Sequence, residues 1–130
     1  MTGSQQTILV VDDDPGLRSQ LKWALSEYYD VVTAGDRIQA LAEFNKYKPG
    51  VVTLDLGLPP NEEGTDEGYA VLGAILGQSP DTKVVVISGS DAASNASRVI
   101  GAGAFEFHPK PIDSNVLLEI IHRAFLSFKE

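Results

Sequence analysis

Five times along the chain, a short run of β-branched and other apolar residues is followed by a longer stretch with helical spacing. The short runs are residues 7–11 (TILVV), 31–34 (VVTA), 51–54 (VVTL), 83–87 (KVVVI) and 104–107 (AFEF). Continuous apolar runs of this length read as strands buried on both faces. Between them, Leu17, Leu21, Ala24, Leu25 and Tyr28 predict the inward stripe of a first helix, opened by Pro15 with Asp14 as its cap. Ile38, Leu41 and Ala42 predict the inward face of a second helix, capped by Asp36. Helices are expected over 69–76 and 92–100, the latter poor in large apolar residues. In the last helix, capped by Asp113 or Ser114, the inward set is Leu117, Ile120, Ile121, Ala124 and Phe128. Strands alternating with helices imply a parallel sheet covered on both faces, with right-handed crossovers. The expected fold is α/β: a doubly wound, five-stranded (βα)5 sheet in the flavodoxin-like order 2-1-3-4-5.

A chain of 130 residues, 43% hydrophobic, suits one such domain. Its formal net charge of −8 and scattered Lys and Arg argue against nucleic-acid or anionic membrane partners. There is no cysteine and there are only two histidines, which excludes disulfides and a zinc site. No apolar run is long enough to span a membrane, and Met1 to Gln6 lacks a signal pattern, so the expected location is cytoplasmic. Residues 1–6 read as a disordered tail and 7–130 as the domain.

In open parallel sheets, ligands bind outside the carboxyl ends of the strands, beside the point where strand order reverses. Asp12 and Asp13 follow the first run, Asp55 the third, Ser88 the fourth and Lys110 the fifth. Singly, each is an ordinary cap or surface residue. Together at strand ends, three carboxylates, a hydroxyl and an ammonium are the parts of a phosphoryl-transfer site. Mg²⁺, or Mn²⁺ in its place, takes such oxygen ligands. A carboxylate can attack phosphorus to form an acyl phosphate, and Lys110 would reduce the repulsion between the two anions. The carboxylates themselves are expected to crowd without a built-in cation, a costly arrangement unless it has a use.

The segments ILVVDDDP (8–15), LDLGLP (54–59), VVISG (85–89) and KP (110–111) together resemble the receiver domain of bacterial two-component response regulators, over residues 8–125. The resemblance implies that Asp55 is the phosphoacceptor for a sensor histidine kinase. It implies that Asp12, Asp13, Asp55 and the Gly57 carbonyl hold the metal. It makes Ser88 and Phe107 the switch pair and Lys110 the phosphate-pairing lysine, with a cis peptide before Pro111. By the same resemblance, the domain is not a metabolic enzyme, forms a phosphorylation-dependent homodimer and serves an output domain beyond residue 130. Gly57 stands where the family often carries a side chain that tunes dephosphorylation. The stretch from Pro60 to Gly68 is about five residues longer than usual for such a link, where functional loops concentrate. Its acids are expected to shape partner access and to lie away from the metal. DLGLPP, this acidic loop, SPDTKV and KPID are similar to receivers of sigma-54-dependent transcription regulators tied to exopolysaccharide and exosortase systems.

Two other chemistries fit part of the pattern. A phosphohydrolase of the haloacid dehalogenase type would use Asp12 in its D-x-D motif and leave Asp55 without a role. A flavin-binding module would need a Ser/Thr/Gly loop after the first strand, where this chain has three aspartates.

Overall fold

A computed structural model describes residues 6–60, 64–89 and 92–129. The described chain runs β1 (Thr7–Val11), α1 (Pro15–Leu25), β2 (Asp30–Ala34), α2 (Arg37–Tyr47), β3 (Val51–Leu54), α3 (Asp66–Gln78), β4 (Lys83–Ser88), α4 (Ala92–Gly101), β5 (Glu106–Pro109) and α5 (Ser114–Leu126), ending in a 3₁₀ turn at Ser127–Lys129. The sheet is parallel, in the expected order β2-β1-β3-β4-β5. Among the described residues, no helix is long and apolar enough to cross a membrane.

Strand period two divides the core into two layers. Leu9, Val11, Val52, Leu54, Val84 and Val86 face α2, α3 and α4, meeting Phe44, Val71, Leu72, Ile75 and Val99. Ile8, Val10, Val51, Val85 and Ile87 face α1 and α5, meeting Leu21, Leu25, Leu117, Ile120 and Ile121. Burying one such side chain contributes roughly 1.5–3 kcal/mol, so the two faces hold the sheet from both sides. Caps set where the helices start. Asp14 Oδ1 accepts from the Gly16 and Leu17 amides at 2.9 and 3.3 Å, with Pro15 at the first helical position. Asp36 accepts from Gln39 N at 2.8 Å. Between the two candidates at the last helix, Asp113 is the cap, accepting from Asn115 N at 2.8 Å.

Several expected details shift. Tyr28 is exposed and Tyr29 is buried, because α1 ends at Leu25 and the next turns follow a different path. On α2 the inward residues are Ala40 and Phe44 with half-buried Leu41. Ile38 and Ala42 face outward, since the bulkier Phe44 takes the core position. Helix α3 begins at Asp66, three residues before the expected start, and runs to Gln78. The acids Asp66 and Glu67 suit the positive end of a helix. β5 lies at Glu106–Pro109, two residues later than the expected 104–107. The amide of Ala104 is spent on the carbonyl of Val99 at the end of α4. Phe128 is substantially exposed in the closing 3₁₀ turn, while Phe125 fills the core place assigned to it. In the expected tail, Gln6 already accepts a bond from Asp30 N at 3.0 Å. Residues 1–5 lie outside the described residues, as do loop residues 61–63 and Ser90.

Candidate functional site

Strand register brings the acids together. Val11 pairs with Leu54 across β1 and β3, so Asp12 and Asp55 leave the sheet side by side. Asp12 N donates to Ala34 O at 3.0 Å and Asp55 N to Val11 O at 2.9 Å, extending the ladder one step past each strand. Carboxylate oxygens of Asp12, Asp13 and Asp55 all lie within 4.8 Å of one another. Asp12 and Asp55 are buried, and Asp13 is half-buried at the mouth.

Lys110 reaches this cluster from the far end of the sheet. Its Nζ lies 2.7 Å from Asp12 Oδ2 and 3.2 Å from Asp55 Oδ2. Its amide donates to Ser88 O at 3.0 Å, which ties the turn after β5 to the end of β4. The crowded carboxylates therefore do have a built-in cation, contrary to the expectation from sequence. Spacing along the chain gives no reach for a long, flexible side chain. The peptide before Pro111 is cis, as expected, and so is Pro59–Pro60, which was not anticipated.

The remaining polar groups are also partnered. Asp12 Oδ1 accepts from Asp14 N at 2.9 Å and Asp55 Oδ1 from Gly57 N at 3.1 Å. Burial raises the Asp55 pKa above its ordinary value, against the opposing pull of Lys110 and the Gly57 amide; the Asp12 charge adds to the rise. Burial alone would lower the Lys110 pKa. The hydrogen bond from Lys110 to Asp12 and the charges of both aspartates outweigh it, so the pKa lies above normal. Ser88 is fully buried at the end of β4. Phe107, on β5, is half-buried against the core layer beneath α3 and α4.

Hard oxygen donors at this spacing fit Mg²⁺ or Mn²⁺. Glu67, the described loop-side acid nearest the expected insertion, instead pairs with Arg37 at 2.9 Å. Glu62 and Glu63 lie outside the described residues.

Two contributors escaped the sequence reading. Gly68 lets α3 start against the backbone of Leu56: an added Cβ would lie 2.3 Å from Leu56 Cα. Its only signal was a glycine directly ahead of an apolar helix. Arg18 of α1 donates from Nη1 to Asp12 O at 2.7 Å, and nothing in its spacing marks it.

The geometry agrees with the comparisons. The family described as "Response regulator receiver domain" matches residues 8–122. The probable transcriptional regulatory protein TcrX of Mycobacterium tuberculosis is 33% identical over 110 residues, covering 84% of this chain and 45% of TcrX. The nitrogen assimilation regulatory protein NtrX of Azorhizobium caulinodans is 34% identical over 118 residues, covering 90% of this chain and 25% of NtrX. The chain thus spans under half the length of these two relatives. A CheY-like receiver domain protein from Methanospirillum hungatei superposes with a TM-score of 0.86 at 27% identity, covering 97% of this chain and 98% of that one. Neither the family match nor these relatives support the phosphohydrolase alternative. With its sheet order, strand-end acids and matched span of 8–122, the chain belongs to the receiver domain family of two-component response regulators.

Proposed function

We propose that Asp55 accepts a phosphoryl group from a sensor histidine kinase and that the resulting acyl phosphate switches an interaction surface. The observation that carries this reading is the convergence of Asp12, Asp13 and Asp55 with Lys110 bridging two of them. A carboxylate oxygen of Asp55 attacks phosphorus, the bond from phosphorus to the kinase imidazole breaks, and the imidazole leaves. Asp12, Asp13, Asp55 and the Gly57 carbonyl would hold Mg²⁺ or Mn²⁺. The bound cation supplies charge neutralisation at the phosphoryl oxygens. Lys110, already within reach of Asp55, turns its ammonium to a phosphoryl oxygen. Ser88 donates its hydroxyl to another, and Phe107 turns further inward behind it. The chemistry ends on the chain's own residue and its hydrolysis; no metabolite is turned over.

The switched surface then changes self-association and controls an output domain. The finer resemblance, carried by DLGLPP, the acidic loop and KPID, points to a sigma-54-dependent transcription regulator linked to exopolysaccharide or exosortase functions. Relatives described as transcriptional regulators support the transcriptional part. We assign partner access to the stretch from Pro60 to Gly68; of its described acids, Glu67 pairs with Arg37, and neither it nor Asp66 belongs to the acid cluster.

The test is incubation with acetyl phosphate and Mg²⁺ followed by intact mass. The wild type should gain one phosphoryl group. Asp55→Asn should gain none, and chelation should stop the reaction. Equal labelling of the Asn variant overturns the acceptor assignment, and an unchanged rate after chelation overturns the metal.

A further inference from the structure

Arg18 sits half-buried on α1, one turn past the Asp14 cap. Its Nη1 donates to the backbone carbonyl of Asp12 at 2.7 Å, a charge-assisted bond to the strand end that carries the acid pair. The guanidinium lies over Gly35, where an added Cβ would come within 2.8 Å of Nη1 and 3.3 Å of Cζ. Gly35 is not among the residues with positive φ, so its conformation does not demand glycine; the space does. A glycine after β2 and an arginine on α1 thus form a slot and a clamp, both aimed at the Asp12–Asp13 peptide.

We infer that Arg18, seated in the space left by Gly35, is a positioning residue that fixes the Asp12–Asp13 peptide plane and so aims Asp13 into the metal site. This rests on the proposed metal-assisted phosphoryl transfer. Lys110, Asp14 N and Gly57 N hold the Asp12 and Asp55 carboxylates. Asp13 directly follows the peptide that Arg18 grips, so that bond sets the backbone from which its carboxylate starts. Lys110 is shared, too. When its ammonium turns to a phosphoryl oxygen, Asp12 loses its closest cation. Arg18 bonds the backbone and has no reason to move with it. Mutual repulsion of three carboxylates would otherwise open the turn at the mouth of the site.

The test is Mg²⁺ binding by the whole chain, measured by calorimetry and by amide NMR without phosphorylation. The variants are Arg18→Ala, Arg18→Lys, Gly35→Ala and the Arg18→Ala/Gly35→Ala double. Gly35→Ala displaces the flexible end of Arg18 and leaves the strand backbone alone, so it carries the test should Arg18→Ala fold poorly. Each alanine single should weaken Mg²⁺ binding about tenfold, the scale on which groups behind metal ligands act. The double should bind no more weakly than the worse single, because both remove one clamp. Arg18→Lys should recover part of the loss. In metal-free protein, the Asp13 and Asp14 amide signals should shift in both singles. Singles that bind within about twofold of a Mg²⁺-binding wild type, or losses that add in the double, overturn the clamp and leave the metal site standing. A wild type that binds no Mg²⁺ overturns the metal site and the clamp with it.

Discussion

Asp55 is ionised at a cost that Lys110 only partly offsets. Its pKa lies above the ordinary 3.8, mainly through burial. The native state therefore holds a proton that the unfolded chain would release, and stability falls as pH rises from about the unfolded pKa through the folded one. Asp55→Asn removes the charge, and Lys110 keeps Asp12 as a partner at 2.7 Å. The metal-free variant should melt a few degrees above the wild type at pH 7. The gap should close as pH falls below the ordinary carboxylate value, where Asp55 is protonated in both states. Thermal melts from pH 3 to 8 in the presence of a chelator read this directly, and an Asn variant less stable at pH 7 would show that the Lys110 pair dominates. Lys110 has the same sign of linkage in a far higher window: its contribution is complete below its ordinary 10.5 and is lost only as pH rises through its still higher folded pKa. The acids, Ser88 and Lys110 were legible because strand ends are legible. The Lys110–Asp12 contact and the Arg18 clamp were not, since both depend on how long side chains fold back across the sheet.

The start of α3 is where local pattern and tertiary structure disagree most. A glycine next to acids reads as loop, yet Gly68 is helical and packs on Leu56, with its amide 3.2 Å from the Leu56 carbonyl. Gly68→Ala would force backbone against backbone at 2.3 Å and should cost several kcal/mol in chemical denaturation, as overpacked sites with no room to relax do. On the same helix, Gly73 and Gly77 are exposed, with nothing within 4 Å of an added Cβ. Alanine there should stabilise by about 0.5–1 kcal/mol each, through helix propensity and a less free unfolded chain. Loss at Gly73 or Gly77, or tolerance at Gly68, would contradict this placement of the helix. Elsewhere the strands β1, β3 and β4 were readable almost to the residue, because burial on both faces leaves no choice of residue type, and α5 showed its inward stripe through Leu117, Ile120, Ile121 and Ala124. Helix α2 was misread by face because its apolar residues fall on two sides, Ile38 and Ala42 outward and Ala40 and Phe44 inward, and β5 slipped because Ala104 and Phe105 are apolar for packing that begins before the strand.

At the scale of the molecule, helices α5 and α4 are held unequally. Helix α5 buries Leu117, Ile120, Ile121, Ala124 and Phe125. In the facing layer, the cluster takes only Val99 from the described part of α4. Polar ties complete the hold: Tyr69 O–H donates to Asn95 Oδ1 at 2.9 Å, and the Arg98 guanidinium lies 3.8 Å over the Tyr69 ring. An element with one large aliphatic anchor is the one to move when its neighbour changes. The neighbour is the end of β4, where Ser88 is buried beside the acids and linked through its carbonyl to Lys110 N. Phosphorylation adds about −1.5 to −2 charge and three strong acceptors there. Inverting a 1:99 population requires roughly 5.5 kcal/mol of differential interaction. A hydroxyl bond to a charged acceptor contributes about 1.5–3 kcal/mol, so Ser88 is needed but must share the work with Lys110 and the metal ligands. Beryllofluoride, a phosphoryl mimic, should therefore shift amide signals across residues 92–107 and change the sedimentation of the protein. In Ser88→Ala the mimic should still bind, while the remote shifts shrink to residues touching the pocket. If wild type and variant both show only pocket shifts, α4 is not the moving part, and the weak anchoring at Val99 has no signalling use.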